Sequence, residues 1–171
     1  MKLAIFDFDG TLFPKDTLPM LLSLWKKNKG SGIHYYKNVL PLLPLFLKYK
    51  LGISKLSRQE MKLLAVSKFN WIFQGMSEQE VSDYFKICSD EINGMLNQSV
   101  VDEVKKAQEE GFHTVLLSGA YELLLRNVGE YLDFDTVIGT KMHFPGNSYN
   151  PEYSGEDGDV IIGEKKLKRV Y

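Results

Sequence analysis

Residues 3–6, Leu3-Ala4-Ile5-Phe6, form a short apolar run that ends in two acids two positions apart, Asp7 and Asp9, followed by Gly10-Thr11. An apolar run without polar alternation is the pattern of a strand buried on both faces, as in a parallel sheet covered by helices. Asp9-Gly10 then stops the strand. Two carboxylates at the end of a buried strand are costly unless they have work to do. They are the feature around which the rest of the chain has to be arranged.

Further along, the segment 112–119, Phe112-His113-Thr114-Val115-Leu116-Leu117-Ser118-Gly119, predicts a second buried strand, and the β-branched segment 134–142 a third. Residues 99–111, ahead of the second strand, read as an amphipathic helix closed by Gly111, and residues 120–132, between the second and third, as another helix. Residues 144–159 are turn-rich, a loop or hairpin, and Gly163-Glu164-Lys165-Lys166-Leu167 looks like the start of a last helix. Strands alternating with helices imply right-handed crossovers and a parallel sheet. In such open α/β sheets, ligands bind beyond the carboxyl ends of the strands. Asp7, Asp9 and Ser118 all fall at expected strand ends, which argues for one shared site.

From Asp16 to about Asn97 the sequence offers helices and no convincing strand. Asp16 or Thr17 is the expected N-cap of the first helix. Ser57 with Glu60, and Ser77 with Glu80, form two capping-box signatures. After Ser77, the positions Val81, Tyr84, Phe85 and Cys88 share one helical face. The expected organisation is an α/β core from 1–14 and 96–171 with an inserted all-helical cap over 15–95.

Charge divides along the same line. Residues 14–70 hold eleven Lys and Arg against two acids, a net +9, whereas the chain as a whole carries −1. A basic module of this kind suits an anionic partner. The longest apolar run, residues 39–47, contains two prolines and is far shorter than the ~20 residues a bilayer span requires. A single cysteine, Cys88, excludes an intrachain disulfide framework and fits a reducing compartment. Residues 1–12 place acids where a secretory signal would place its apolar stretch, so the expected location is the cytoplasm. His34, His113 and His143 show no metal-ligand spacing.

Asp7-Phe8-Asp9-Gly10-Thr11 resembles the first motif of the haloacid dehalogenase superfamily of phosphohydrolases. Val115-Leu116-Leu117-Ser118-Gly119-Ala120 resembles the second, and Gly163-Glu164-Lys165-Lys166 the third. The helical insert and the later segments are similar to subfamily IB, the branch that includes phosphoserine phosphatase. The resemblance implies a Rossmannoid core with a helical cap and a Mg²⁺-dependent phosphatase. In it Asp7 is the nucleophile that becomes an aspartyl-phosphate. Asp9 is the general acid and base, and Ser118 and Gly119 hold phosphate oxygens. Lys166, adjacent to Lys165, neutralises the phosphoryl charge, with Lys141 the weaker candidate. Asp7 and the Asp9 carbonyl are the implied metal ligands. Thr11 and Asp16 border the substrate.

The family's fourth motif, an acidic pair after the third, has no counterpart before Tyr171. Truncation is the expected explanation, and a non-catalytic anion- or partner-binding module the alternative. The expected partners are a small phosphorylated metabolite or a lipid phosphate, a membrane surface touched by the basic cap, and a second copy in a homodimer through the open edge of the first strand. Nucleic acid is not among them.

Overall fold

A computed structural model describes residues 2–28 and 57–153, with 36–37, 40, 44, 47–48 and 51–53 between them. Strand β1 (Leu3–Phe6) leads to helix α1 (Thr17–Asn28). Helix α2 (Arg58–Asn70) runs into a 3-10 turn, Trp71–Phe73, and is followed by α3 (Glu78–Asn93) and α4 (Gln98–Glu109). Strand β2 (His113–Tyr121), helix α5 (Glu122–Tyr131) and strand β3 (Thr136–Thr140) follow, then two short 3-10 turns at Pro145–Asn147 and Pro151–Tyr153.

The three strands form one parallel sheet in the order β1-β2-β3. Leu3 pairs with His113 and Phe6 with Leu116, while Val115 pairs with Thr136 and Leu117 with Ile138. This is the parallel α/β architecture expected from the alternation of strands and helices. Both capping boxes form: the Ser57 and Ser77 side chains accept from the Glu60 and Glu80 N–H groups, and each glutamate returns the bond to its serine's N–H. Val81, Tyr84, Phe85 and Cys88 are all fully buried on one face of α3. Burial pushes the Cys88 thiol up to about 12, which suits a packing residue.

The helical insert does not stand apart from the sheet. Leu21, Phe69, Phe73 and Phe85 from the insert share one buried cluster with Phe8, Leu116, Tyr121 and Leu124 from the core. Trp25 meets Phe73 and Tyr84 edge to face, at centroid distances of 5.5 and 5.0 Å. The Tyr84 hydroxyl donates to the Leu21 carbonyl at 2.6 Å, tying α3 to α1.

Two sequence expectations need correction. β1 is not buried on both faces: Leu3 is 41% and Ile5 47% exposed. It lies at the edge of the described sheet, and the face it shares with Val115, Leu117 and Ile138 carries only a small second cluster. Ala120 and Tyr121 belong to β2 rather than to the following helix, which begins at Glu122. The reason is a local irregularity that keeps the strand paired past Ser118, described below. Among the described residues, no helix is long and apolar enough to cross a membrane.

Candidate active site

The loop after β1 sets the two acids. Asp7 and Asp9 are half-buried, and Phe8 between them is fully buried and stacked on Phe13 at a centroid distance of 5.7 Å. Phe8 is thereby anchored in the core between two half-buried carboxylates. Gly10 takes φ +76°, a conformation that other residues adopt at a cost, and the chain folds back on itself there. The Gly10 N–H donates to the Phe13 carbonyl at 2.8 Å, and the Phe13 N–H to the Phe8 carbonyl at 2.9 Å. Asn97, just before α4, steadies the same loop: its N–H donates to the Leu12 carbonyl at 2.9 Å and its side-chain amide to that of Thr11 at 3.5 Å.

The loop turns Asp9 toward the insert. Its Oδ1 accepts the Thr17 N–H at 3.0 Å and also the Thr17 hydroxyl. Thr17 is buried, whereas Asp16 beside it is exposed. The carboxylate that holds the first turn of α1 thus comes from Asp9, eight residues upstream, rather than from an adjacent N-cap side chain. A negative charge at that end of a helix also meets the positive end of its dipole.

Ser118 and Gly119 lie inside β2, in a bulge. Leu117 pairs with Ile138 and Tyr121 with Thr140, so three residues, 118–120, oppose Gly139 alone. Gly119 is therefore part of a distorted strand, three residues ahead of α5. Ser118 is only 1% exposed, and its Oγ accepts the Ala120 N–H at 3.2 Å. The Thr140 hydroxyl donates to the Gly119 carbonyl at 2.9 Å. Beyond the bulge, the Tyr121 hydroxyl donates to Asn70 Oδ1 at 2.6 Å, a bond between the end of β2 and the end of α2 with both residues buried.

Since Phe6 pairs with Leu116, continuing the register sets Asp7 level with Leu117, next to Ser118. Asp7, Asp9 and Thr11 thus follow the carboxyl end of β1, Ser118 and Gly119 lie within the last part of β2, and exposed Lys141 is one residue past β3 at the same end of the sheet. His113 sits at the opposite end. Lys165 and Lys166 lie outside the described residues. The sequence marked Thr17 only as a candidate N-cap, not as a partner of Asp9, and did not mark the roles of Asn97, Thr140 or the Asn70–Tyr121 pair. Each acts through a hydrogen bond between distant segments, which no local pattern announces.

The donor set at β1 is made of oxygens: the Asp7 carboxylate and, two residues on, the Asp9 carbonyl. Such donors suit a hard cation such as Mg²⁺ and not a thiophilic one. Among the described residues, no three His, Cys, Asp or Glu side chains gather as a metal cluster, so these two oxygens would supply only part of a six-coordinate shell.

A family model described as haloacid dehalogenase-like hydrolase matches residues 4–171. No curated protein matches the chain. Among solved structures, a protein with unknown function from Bordetella pertussis Tohama I superposes with a TM-score of 0.68 at 16% identity, covering 88% of this chain and 65% of that one. A phosphoserine phosphohydrolase-like protein from Francisella tularensis gives 0.53 at 17% identity, covering 88% and 63%. A probable phosphoserine phosphatase from Vibrio cholerae gives 0.54 at 15% identity, covering 88% and 39%. The chain thus spans less than two thirds of the length of these solved structures, and at such identities they share its fold. With the family model running over nearly all of its length, the chain belongs to the haloacid dehalogenase-like hydrolases.

Proposed function

We propose that the chain is a Mg²⁺-dependent phosphomonoester hydrolase that works through an aspartyl-phosphate. The observation that supports this most is the pair Asp7 and Asp9 just past the carboxyl end of β1, where continuing the register sets Asp7 beside Leu117, one residue before Ser118 in the neighbouring strand. Phosphate monoesters resist hydrolysis strongly, in part because an anionic ester repels a nucleophile. A bound Mg²⁺ would neutralise that charge, held by the Asp7 carboxylate and the Asp9 carbonyl. Asp7 then attacks phosphorus and the ester oxygen leaves. Asp9 gives that oxygen a proton, and afterwards takes one from the water that cleaves the acyl-phosphate. Ser118 and Gly119 bind phosphate oxygens, Lys166 balances their charge, and Thr11 and Asp16 border the substrate.

The substrate class we infer is a small phosphorylated metabolite of the phosphoserine type or a lipid phosphate, handled in the cytoplasm. The +9 balance of residues 14–70 supports the lipid arm, since basic residues at an anionic surface contribute ~1 kcal/mol each. Vesicle binding that rises with anionic lipid and falls with salt would favour that arm, and indifference to lipid charge would favour the metabolite.

The test is hydrolysis of p-nitrophenyl phosphate with and without Mg²⁺, on the 171-residue chain and on any longer reading frame that contains it. Mg²⁺-dependent turnover supports the proposal. Phosphate binding without turnover in either form would leave an anion-binding module instead.

A further inference from the structure

We propose that Thr140 is a positioning residue for phosphate binding, acting through the Gly119–Ala120 peptide to aim the Ser118 hydroxyl. The inference rests on the reading of Ser118 as a phosphate ligand. In the bulge, residues 118–120 oppose a single residue, Gly139, so the regular ladder does not fix their peptide planes. Gly119 makes the problem worse, because a glycine leaves the plane that follows it easy to rotate.

That plane is held from both sides by side chains. Its carbonyl, on Gly119, accepts from Thr140 Oγ1 at 2.9 Å, and its N–H, on Ala120, donates to Ser118 Oγ at 3.2 Å. The carbonyl and the N–H of a trans peptide point in opposite directions, so fixing one fixes the other. With the Gly119 oxygen drawn to Thr140, the Ala120 hydrogen has to face Ser118. A hydroxyl that accepts a bond through a lone pair still has its proton to give, and here that proton is directed away from Ala120. Ser118 and Thr140 are both buried, at 1% and 4% exposed, so solvent does little to reorient either group. Thr140 thereby sets a donor that an incoming phosphate oxygen would otherwise have to organise for itself, which is preorganisation of a ligand contact.

The experiment is calorimetric titration of the full chain, in Mg²⁺, with inorganic phosphate. It compares the wild type, Thr140→Val, Thr140→Ser, Ser118→Ala and the Thr140→Val/Ser118→Ala pair. Thr140→Val, which keeps the branched shape, should weaken phosphate binding about 3–10-fold, the order of one net hydrogen bond. Thr140→Ser should stay within about twofold of wild type. In the Ser118→Ala background, Thr140→Val should add less than about twofold, because the group it positions is gone. Should Thr140→Val fail to fold, Thr140→Cys carries the same cycle with a weak donor in place of the hydroxyl. Wild-type affinity in Thr140→Val, or an equal loss with and without Ser118, overturns the proposal while leaving Ser118 as a ligand. Unchanged affinity in Ser118→Ala, or no phosphate binding by the wild type, overturns the reading of the site itself.

Discussion

The Asp9 carboxylate caps helix α1 through Thr17, accepting the Thr17 N–H at 3.0 Å together with the Thr17 hydroxyl. The acid proposed to move the proton is therefore also the anchor of the first helix of the insert. The two roles respond differently to substitution. Asp9→Asn keeps an oxygen that can accept from Thr17 but cannot exchange protons, so it should retain most of the stability and lose about 10²–10⁴-fold in turnover. Asp9→Ala loses the cap as well, and should cost a further ~1 kcal/mol of stability. Thermal melts beside steady-state kinetics on the two variants check this. Equal melting temperatures would show that the cap contributes nothing.

Asp7 carries a sharper expectation. Asp7→Asn should abolish turnover of p-nitrophenyl phosphate while leaving the melting temperature within a few degrees of wild type, since Asp7 lies past the last ladder pair of β1 and is only half-buried. Mass spectrometry should detect no phosphorylated protein in that variant after exposure to acetyl phosphate. Residual activity near the wild-type level would remove the covalent route.

The Tyr121–Asn70 bond fastens the insert to the sheet. Tyr121→Phe leaves Asn70 Oδ1 buried without its donor, a loss of about 1–3 kcal/mol. Denaturant unfolding should show it as a lower midpoint with an unchanged slope. Changing both residues to apolar ones, Tyr121→Phe with Asn70→Leu, should recover part of the loss, because no orphaned oxygen remains.

How much of this was legible in the sequence follows from the range of each interaction. The strands, the helices and both capping boxes are local patterns, and Ser57–Glu60 and Ser77–Glu80 form as read. The order of the elements leads Asp7 and Asp9 out of the carboxyl end of β1, but Ser118, expected at the end of its strand, lies within β2, which runs on to Tyr121. The bulge at 118–120 did not show, because it depends on Thr140 and Gly139 from another strand. Nor did the exposure of Leu3 and Ile5, since an apolar run reports what a strand can bury and not what stands beside it. N-cap rules look next door and so point to Asp16 or Thr17 for the cap of α1. The actual acceptor arrives through a fold-back loop.

At the far end of the sheet, Asp135 gives the fold a dependence on acid. Its carboxylate accepts the Thr114 N–H at 2.7 Å and the Thr114 hydroxyl at 2.9 Å, and these bonds, with a smaller contribution from His113, hold its pKa below the ordinary 3.8. A depressed folded value means that the stabilisation is fully present above the unfolded pKa. It is lost as pH falls through the folded one. Asp135→Asn should therefore flatten the fall of melting temperature below about pH 4, with little change in its shape from pH 6 to 8. A variant whose acid limb matches wild type would show that other carboxylates govern it.

Gly139 of β3 packs closely against the start of α5, and it lies across from the bulge. A Cβ built there would stand 2.7 Å from Glu122 Cα and 2.8 Å from Glu122 N, both backbone atoms in the first turn of α5. Neither can swing aside as a side chain does, so Gly139→Ala has to separate the strand from the helix. The expected cost is about 1–3 kcal/mol, in the range of overpacked cores. The displacement falls on the segment opposite Ser118, so phosphate binding should weaken along with stability. Gly94 supplies the control. A Cβ there meets nothing closer than 3.6 Å, and the residue sits at φ −70°, open to any amino acid. Gly94→Ala should be neutral or slightly stabilising, by up to ~1 kcal/mol through the unfolded chain. Paired denaturant melts decide the matter. If both alanines were equally tolerated, β3 and α5 would have more room between them than the 2.7 Å contact allows.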